Sequence, residues 1–328
     1  MRRCLLTLLF ALGALSAVEA AEPILIRFSH VVGEDTPKGV GAALLQRLVA
    51  ERLGGRVAVE VYPRSRKFND DQALLALVFG DIELAAPSFS KFRAFSKQIQ
   101  VFDLPFLLPG AEAVHRFQES ETGQGLLASM TSQGLQGLAY WDNGMRAMSA
   151  NKPLRRPEDI AGLRFRIEPS RVMEAQYQAL DVATVPLPFK YVAEALKMGL
   201  VDGQENAWSN IYAQGFQDYQ QYFTDVGHSF LGYMLVTNAE FWSQLPSDIR
   251  AALEAIIAEV TAEVNRLASE RSLSDRERII ALGKSEVIML SDAERAAWRE
   301  RMLPVWQEFE PQIGKEVIEA ALAAGRAQ

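Results

Sequence analysis

The chain has 328 residues, of which 49% are hydrophobic and 23% charged, with a formal net charge of −7 and a mean hydropathy of −0.01. That length fits one large domain or two of ~150 residues, and the composition is that of a globular rather than a disordered protein. The acidic balance argues against nucleic acid or an anionic membrane as partner, and the absence of a long apolar run beyond the N-terminus excludes a polytopic membrane protein. A locally basic pocket for an anionic ligand stays compatible with all of this.

Residues 1–20 read as a secretory signal. Arg2 and Arg3 form a charged start, Leu5–Leu15 an apolar stretch too short to span a bilayer, and Val18-Glu19-Ala20 a small-residue cleavage site, so the mature chain would begin at Ala21. An uncleaved anchor is the alternative. The only cysteine, Cys4, precedes the apolar stretch, which disfavours a lipoprotein and leaves the mature chain without disulfides, thiolate nucleophiles or Cys-bound metal. The chain is therefore expected to leave the cytoplasm by the general export route.

Ile24–Phe28 reads as a first strand. Leu44, Leu45, Leu48 and Leu53 give a helical stripe over 40–53, ended by Gly54-Gly55. Val57, Val59 and Val61 alternate as a half-buried strand, Asp70–Phe79 is helical up to Gly80, and Ile82–Ala86 is a third strand. This strand–helix rhythm predicts an α/β lobe with a mainly parallel sheet. The pattern restarts at Pro157, which opens a helical turn closed by Ala161-Gly162. A strand over Leu163–Ile167, a helix over Arg171–Leu180, a loop bracketed by Pro186 and Pro188, and a helix over Tyr191–Met198 follow. The run Asp202-Gly203-Gln204-Glu205-Asn206 ends the next strand, where open α/β sheets bind ligands. From Ser247 to Leu282 there is no Gly or Pro, and Ile249, Leu253, Ile256, Ile257, Val260, Val264 and Leu267 keep helical spacing. One continuous helix there would run ~50 Å and bridge two lobes; two helices broken near Ser272–Ser274 are the alternative. Ser291-Asp292-Ala293-Glu294 is a capping box for a further helix, interrupted at Pro304.

Catalytic motifs are scarce. The three histidines, His30, His115 and His228, form neither HExxH nor a close pair, which leaves a His-based metal site without local support. Gly227–Gly232 is one residue too long for a nucleophile elbow. Gly123-Gln124-Gly125 fits the loosest dinucleotide pattern but follows no strand. The pairs Asp70-Asp71 and Glu158-Asp159 sit at helix starts, where the helix dipole favours them anyway. No cofactor or metal is implied. Arg166 alternates with Phe165 and Ile167 and by that pattern alone reads as a solvated strand arginine. Arg146 follows the turn-like Trp141-Asp142-Asn143-Gly144, and Asn206 could cap or turn.

Several runs resemble the DctP-type substrate-binding proteins of TRAP transporters. They are Phe28-Ser29-His30-Val31-Val32, Thr36-Pro37-Lys38-Gly39, Pro87–Phe92, Val101–Leu107, Trp141–Gly144, Gly162–Ile167, Val201–Asn206, Leu231-Gly232-Tyr233 and Gly314-Lys315, in order along nearly the whole mature chain. The resemblance implies a two-lobed α/β periplasmic binding protein, crossed more than once and braced by a long helix spanning both lobes. Lobe I would take residues 21–143 plus 232–271, and lobe II 144–231 plus 272–328. It implies capture of an organic acid in the cleft and delivery to a TRAP permease, without chemistry. The family's strand arginine falls on Arg166, its ligand-binding amide on Asn206, a second basic position on Arg146 and a packing aromatic on Phe189. Ser88, Lys91 and His30 are candidates from the other lobe, with an ordinary exposed lysine the alternative for Lys91. The DctP-type words imply a four-carbon dicarboxylate such as succinate, malate or fumarate. The basic stretch Ser65–Asn69, Lys190, and Ala207-Trp208 after Asn206 depart from the commoner pattern; Trp208 could narrow the cleft or stack on a longer acid. A 2-oxo, 2-hydroxy, aromatic or sugar acid is the alternative ligand. An exported enzyme using His30 or Glu205 is the remote alternative, and a monomer is expected. A sensing role beside a membrane receptor is compatible with the binding reading.

Overall fold

The computed structural model describes residues 22–326; the signal segment expected over 1–20 lies outside them. Strand β1 (Ile24–Ser29) leads into α1 (Pro37–Leu53), capped by the Thr36 hydroxyl accepting from the Gly39 amide and started by Pro37. Then come β2 (Val57–Tyr62), α2 (Asp70–Phe79) and β3 (Leu84–Ala85). Helix α2 starts on an Asn69/Gln72 capping box and ends on Gly80, whose φ of 76° is the left-handed cap only glycine adopts without strain. Two 3-10 turns (Phe89–Ala94 and Gln98–Asp103), α3 (Ala111–Glu119) and α4 (Glu121–Ala128) precede the long strand β4 (Leu135–Met145).

The chain crosses there into a second unit: β5 (Ala147–Ala150), α5 (Pro157–Ile160), β6 (Arg164–Ile167), α6 (Arg171–Ala179), β7 (Ala183–Pro186), α7 (Val192–Lys197), β8 (Gly203–Asn206), α8 (Trp208–Ala213) and β9 (Tyr222–Asp225). It returns along β10 (Phe230–Asn238) and α9 (Ala239–Gln244). Helix α10 (Ser247–Leu282), β11 (Glu286–Met289), α11 (Asp292–Met302), α12 (Val305–Ile313) and α13 (Lys315–Arg326) complete it.

Two sheets result. The first has the order β2-β1-β3-β10-β4 and the second β11-β9-β5-β8-β6-β7. β1 is parallel to β2 and β3, while β10 runs antiparallel to β3 and β4. Strands β4 and β10 belong to the first sheet and run on into and out of the second, so the chain crosses between lobes at 145–147, at 225–230, along α10 and again at 303–305. The 36 residues of α10 form one unbroken helix, with no break at Ser272–Ser274. Its N-terminal half buries Ile249, Leu253, Ile256, Val260 and Val264 in the first lobe, and Ile279 reaches the core of the second. Gly41 of α1 permits that contact: a Cβ there would meet Val264 Cγ2 at 2.2 Å.

The C-terminal segment differs from the expected division. Trp298 and Met302 of α11 pack in the second lobe, but Val305, Phe309, Ile313, Val317, Ile318 and Ala321 return to the core of the first. Pro304 ends the helical run and lets the chain turn back. The Trp306 indole then donates to the Pro105 carbonyl at 2.8 Å, and the Arg116 Nε to the Ala324 carbonyl at 2.8 Å. The loop expected between Pro186 and Pro188 begins one residue inside β7, an edge strand, where the missing proline N–H costs no ladder bond.

Candidate functional site

The sheets meet at a buried polar cluster. Arg166 leaves β6 toward it and is 1% exposed, so the alternation that makes it a solvated residue is overruled. Both faces of β6 are covered, and alternation then no longer reports exposure. Its Nε and Nη2 donate to the Leu187 carbonyl at 3.0 and 2.8 Å. Its Nη1 is buried and has no protein partner among the described residues. A guanidinium fixed on one side by a carbonyl and open on the other is preorganised to grip an acceptor oxygen.

Arg146 sits between β4 and β5, at the first crossing. Its Nη1 donates to both oxygens of Glu205 at 2.8 and 3.0 Å, and its Nη2 to Glu168 Oε2 at 2.9 Å. Glu205 comes from β8 and Glu168 from the end of β6, so this arginine ties two strands of the second lobe to the crossing point. Glu168 Oε1 in turn accepts the Ser88 hydroxyl at 3.0 Å, which brings the first lobe onto the same carboxylate. Burial acts to raise Glu168, but Arg146, Arg166 and Lys91 outweigh it and hold its carboxyl down at about 2. Burial pushes Glu205 up to about 7, against Arg146.

Asn206 is buried beside this group. Its Oδ1 accepts from Asn210 Nδ2 at 2.9 Å and from the Ala207 amide at 3.1 Å, so the amide is held in place rather than capping a turn loosely. Tyr233, from β10, accepts at its hydroxyl from Asn143 Nδ2 at 2.7 Å and Asn210 Nδ2 at 3.1 Å. Ser209 donates to Asn143 Oδ1. Ser88 pairs with Tyr233 through an isolated bridge. Lys91 is buried rather than an ordinary exposed lysine, and its ammonium meets Asp71 at 3.0 Å.

Lys38 is a cluster member that the sequence reading passes over. Its ammonium donates to the Ala86 carbonyl at 2.8 Å and sits 3.5 Å over the Tyr233 ring, and burial lowers it to about 8. Asp70, buried nearby, is raised by burial despite Lys38 and Lys91. Lys38 stands in the first turn of α1 between Pro37 and Gly39, where a lysine reads as a solvated helix start, and the one signal on it is its place in the family-like run Thr36–Gly39.

The remaining candidates lie further out. Phe189 is half-buried in a short 3-10 turn (Phe189–Tyr191) with its ring edge-on to Phe216 at 6.4 Å. Trp208 is 3% exposed and packs against Phe223 in the apolar core of the second lobe, so it acts there as a core residue while its neighbours Ser209 and Asn210 carry the polar contacts. An open groove of about 720 Å³ between α1 and α10, lined by Leu44, Arg47, Glu259 and Arg266, shares no residue with the cluster.

His30 and His228 are both buried without a hydrogen-bond partner among the described residues. Burial, and then the positive Lys38 and Arg146 respectively, lower them to about 3. The unfolded chain holds them near 6.5 and therefore binds protons first as pH falls. The stability present above about pH 6.5 is lost progressively toward about pH 3, at about 1.4 kcal/mol per pH unit for each histidine. Melting temperatures taken between about pH 7.5 and 5 are expected to fall less steeply in the His30→Gln/His228→Gln double variant than in the wild type. Equal slopes would assign the acid loss to other groups.

Known proteins match this chain along most of its length. A family model described as bacterial extracellular solute-binding protein, family 7, named DctP, matches residues 28–312. A "C4-dicarboxylate-binding periplasmic protein DctP" of Shewanella loihica is 45% identical over 97% of this chain and 95% of its own. One of the same name from Rhodobacter capsulatus is 42% identical over 95% and 94%. A TRAP periplasmic solute-binding protein of Shewanella oneidensis, solved with bound succinate, superposes with a TM-score of 0.91 at 45% identity, covering 93% of this chain and 100% of that one. Another from Pseudomonas aeruginosa, solved with bound L-malate, gives 0.85 at 45% identity over 87% and 100%.

Proposed function

Because the chain belongs to family 7 of the bacterial extracellular solute-binding proteins, the DctP family, we propose that it captures a four-carbon dicarboxylate in the interlobe cluster and hands it to a TRAP permease. The observation that carries the reading is the unpartnered, buried Arg166 Nη1 in a cluster that joins both lobes. We read Arg166 as the carboxylate anchor and Asn206, with Ser88 and Lys91 across the cleft, as hydrogen-bonding partners. Lys38 is the better-placed second cation, and Arg146 positions the strands that carry these groups. The relatives solved with succinate and L-malate support a four-carbon acid over a longer one.

Binding without turnover is supported by the state of the acid–base candidates. Glu205 is engaged by Arg146 on both oxygens, and His30 is held neutral. We further propose export with cleavage after Ala20 and a monomeric binding unit.

A thermal-shift panel on exported protein, refolded to strip co-purified ligand and weighed to check that it starts at Ala21, tests the reading. Succinate, malate and fumarate at a thousandfold excess over Kd should stabilise the fold by about 4 kcal/mol. Butyrate should give no shift. A shift with an aromatic or sugar acid alone would keep the family and overturn the substrate.

A further inference from the structure

Charge balance in the cleft carries a consequence for how the ligand enters, resting on the reading of the site as a dicarboxylate pocket. Among the described residues, the cations enclosed at the cluster are Lys38, Lys91, Arg146 and Arg166. The enclosed carboxylates are Asp70, Asp103, Glu168 and Glu205, with Asp71 half-exposed at the rim on Lys91. The two histidines nearby are uncharged. The protein has thus matched its own charges before any ligand arrives. A dianion brought into this enclosure would carry two uncompensated negative charges out of water, and unpaired buried charge is strongly unfavourable.

Glu168 is what removes the cationic surplus. It lies two residues after Arg166, just beyond the end of β6, and faces the same cluster. Its oxygens take the Ser88 hydroxyl from the first lobe and Arg146 Nη2 from the crossing, and Arg166 and Lys91 act on it from β6 and the first 3-10 turn. Lys38 and Asp70 face it from α1 and α2, Asp103 from the second 3-10 turn and the Tyr233 hydroxyl from β10. It shares Arg146 with Glu205, whose other charged or titratable neighbours are Arg166, the Tyr177 hydroxyl of α6 and His228 at 3.8 Å. Two carboxylates on one buried arginine titrate as a pair, and a third negative group nearby drives a proton onto that pair.

We propose that capture of a C4 diacid takes up one proton from solvent onto the Glu168–Glu205 pair, and that Glu168 imposes this coupling. The proton comes from the buffer and no other bond forms or breaks. A site without Glu168 would keep a net positive charge and accept the dianion as it stands. Affinity accordingly weakens as pH rises.

Calorimetric titration of the wild-type protein with succinate, in two buffers of different ionisation enthalpy near pH 7.5, counts the protons directly. At that pH succinate is fully dianionic, so the count belongs to the protein. The heats should differ by about one buffer ionisation per site, and affinity should drop up to tenfold per pH unit toward about pH 8.5. In Glu168→Gln the uptake should fall by more than half, and affinity near pH 8 should rise about tenfold relative to the wild type. Equal heats in both buffers, with normal binding, would overturn the coupling and leave the dicarboxylate reading intact. Unchanged uptake in Glu168→Gln would overturn the assignment to Glu168. No heat and no thermal shift with any C4 diacid would overturn the reading of the pocket itself, and the coupling with it.

Discussion

Arg166→Ala is expected to weaken succinate or malate binding by roughly two to four decades, because losing one member of a buried charge pair costs about 3–5 kcal/mol. The anchor is built from two sides. Leu187 O holds Nε and Nη2, so the remaining edge of the guanidinium points at one place, and little rotamer freedom is lost when a carboxylate arrives. The same geometry predicts a stability cost in the variant, about 1 kcal/mol, since the partly buried Leu187 carbonyl loses both donors. Arg166→Lys separates the two effects. A lysine keeps the charge but cannot donate in a fork to Leu187 and ligand at once, so its affinity should fall between those of wild type and alanine. Calorimetry or the protein's intrinsic tryptophan fluorescence, read beside a melting curve, checks both. A folded Arg166→Ala protein with wild-type affinity would move the anchor elsewhere, and Lys38 would be the first alternative.

Arg146→Ala should behave differently: its main effect is on the fold. The substitution leaves Glu205 and Glu168 buried with no cation between them, a loss of about 3–5 kcal/mol. For lobes of this size that lowers the melting temperature by roughly 10 °C. The deficit should grow with pH. Without Arg146 the two carboxyls are raised above their ordinary value in the fold, so the folded chain is favoured where they are protonated and loses that advantage as pH rises. The triple variant Arg146→Met/Glu168→Gln/Glu205→Gln should recover most of the loss, because the buried charges are removed together. Thermal melts at about pH 5 and 8 read all of this. An Arg146→Ala protein that melts like the wild type yet binds no diacid would instead make Arg146 a direct ligand contact.

The two outcomes show why residue type alone does not separate the arginines. Arg146 and Arg166 are alike in sequence: each stands near a strand end beside apolar neighbours. What distinguishes them is the partner each meets. Arg146 is met by acids from β6 and β8, which lie 22 and 59 residues away along the chain. Arg166 is met by a carbonyl and has one face left over. Such partners are set by sheet order, β5-β8-β6, which no local pattern encodes.

Sequence by itself determined the elements whose causes are local. The capping box at Ser291, the glycine stop at Gly80, the alternation of Val57, Val59 and Val61, and the Gly- and Pro-free run of 247–282 with its apolar spacing over 249–267 all depend on residues within a few turns of one another, and all stand where they were read. The family words along the chain were also enough to assign the two-lobed architecture. Tertiary structure alone decided the rest. It buried Arg166 and Lys91, turned Trp208 into a core, sent α12 and α13 back to the first lobe, and placed Lys38 in the cleft. Each of these depends on which surfaces the two sheets cover when they pack, and the free energy of burying a charge depends on partners brought from far along the chain. Periodicity reports which face of an element is apolar; only the packed structure reports what stands opposite it.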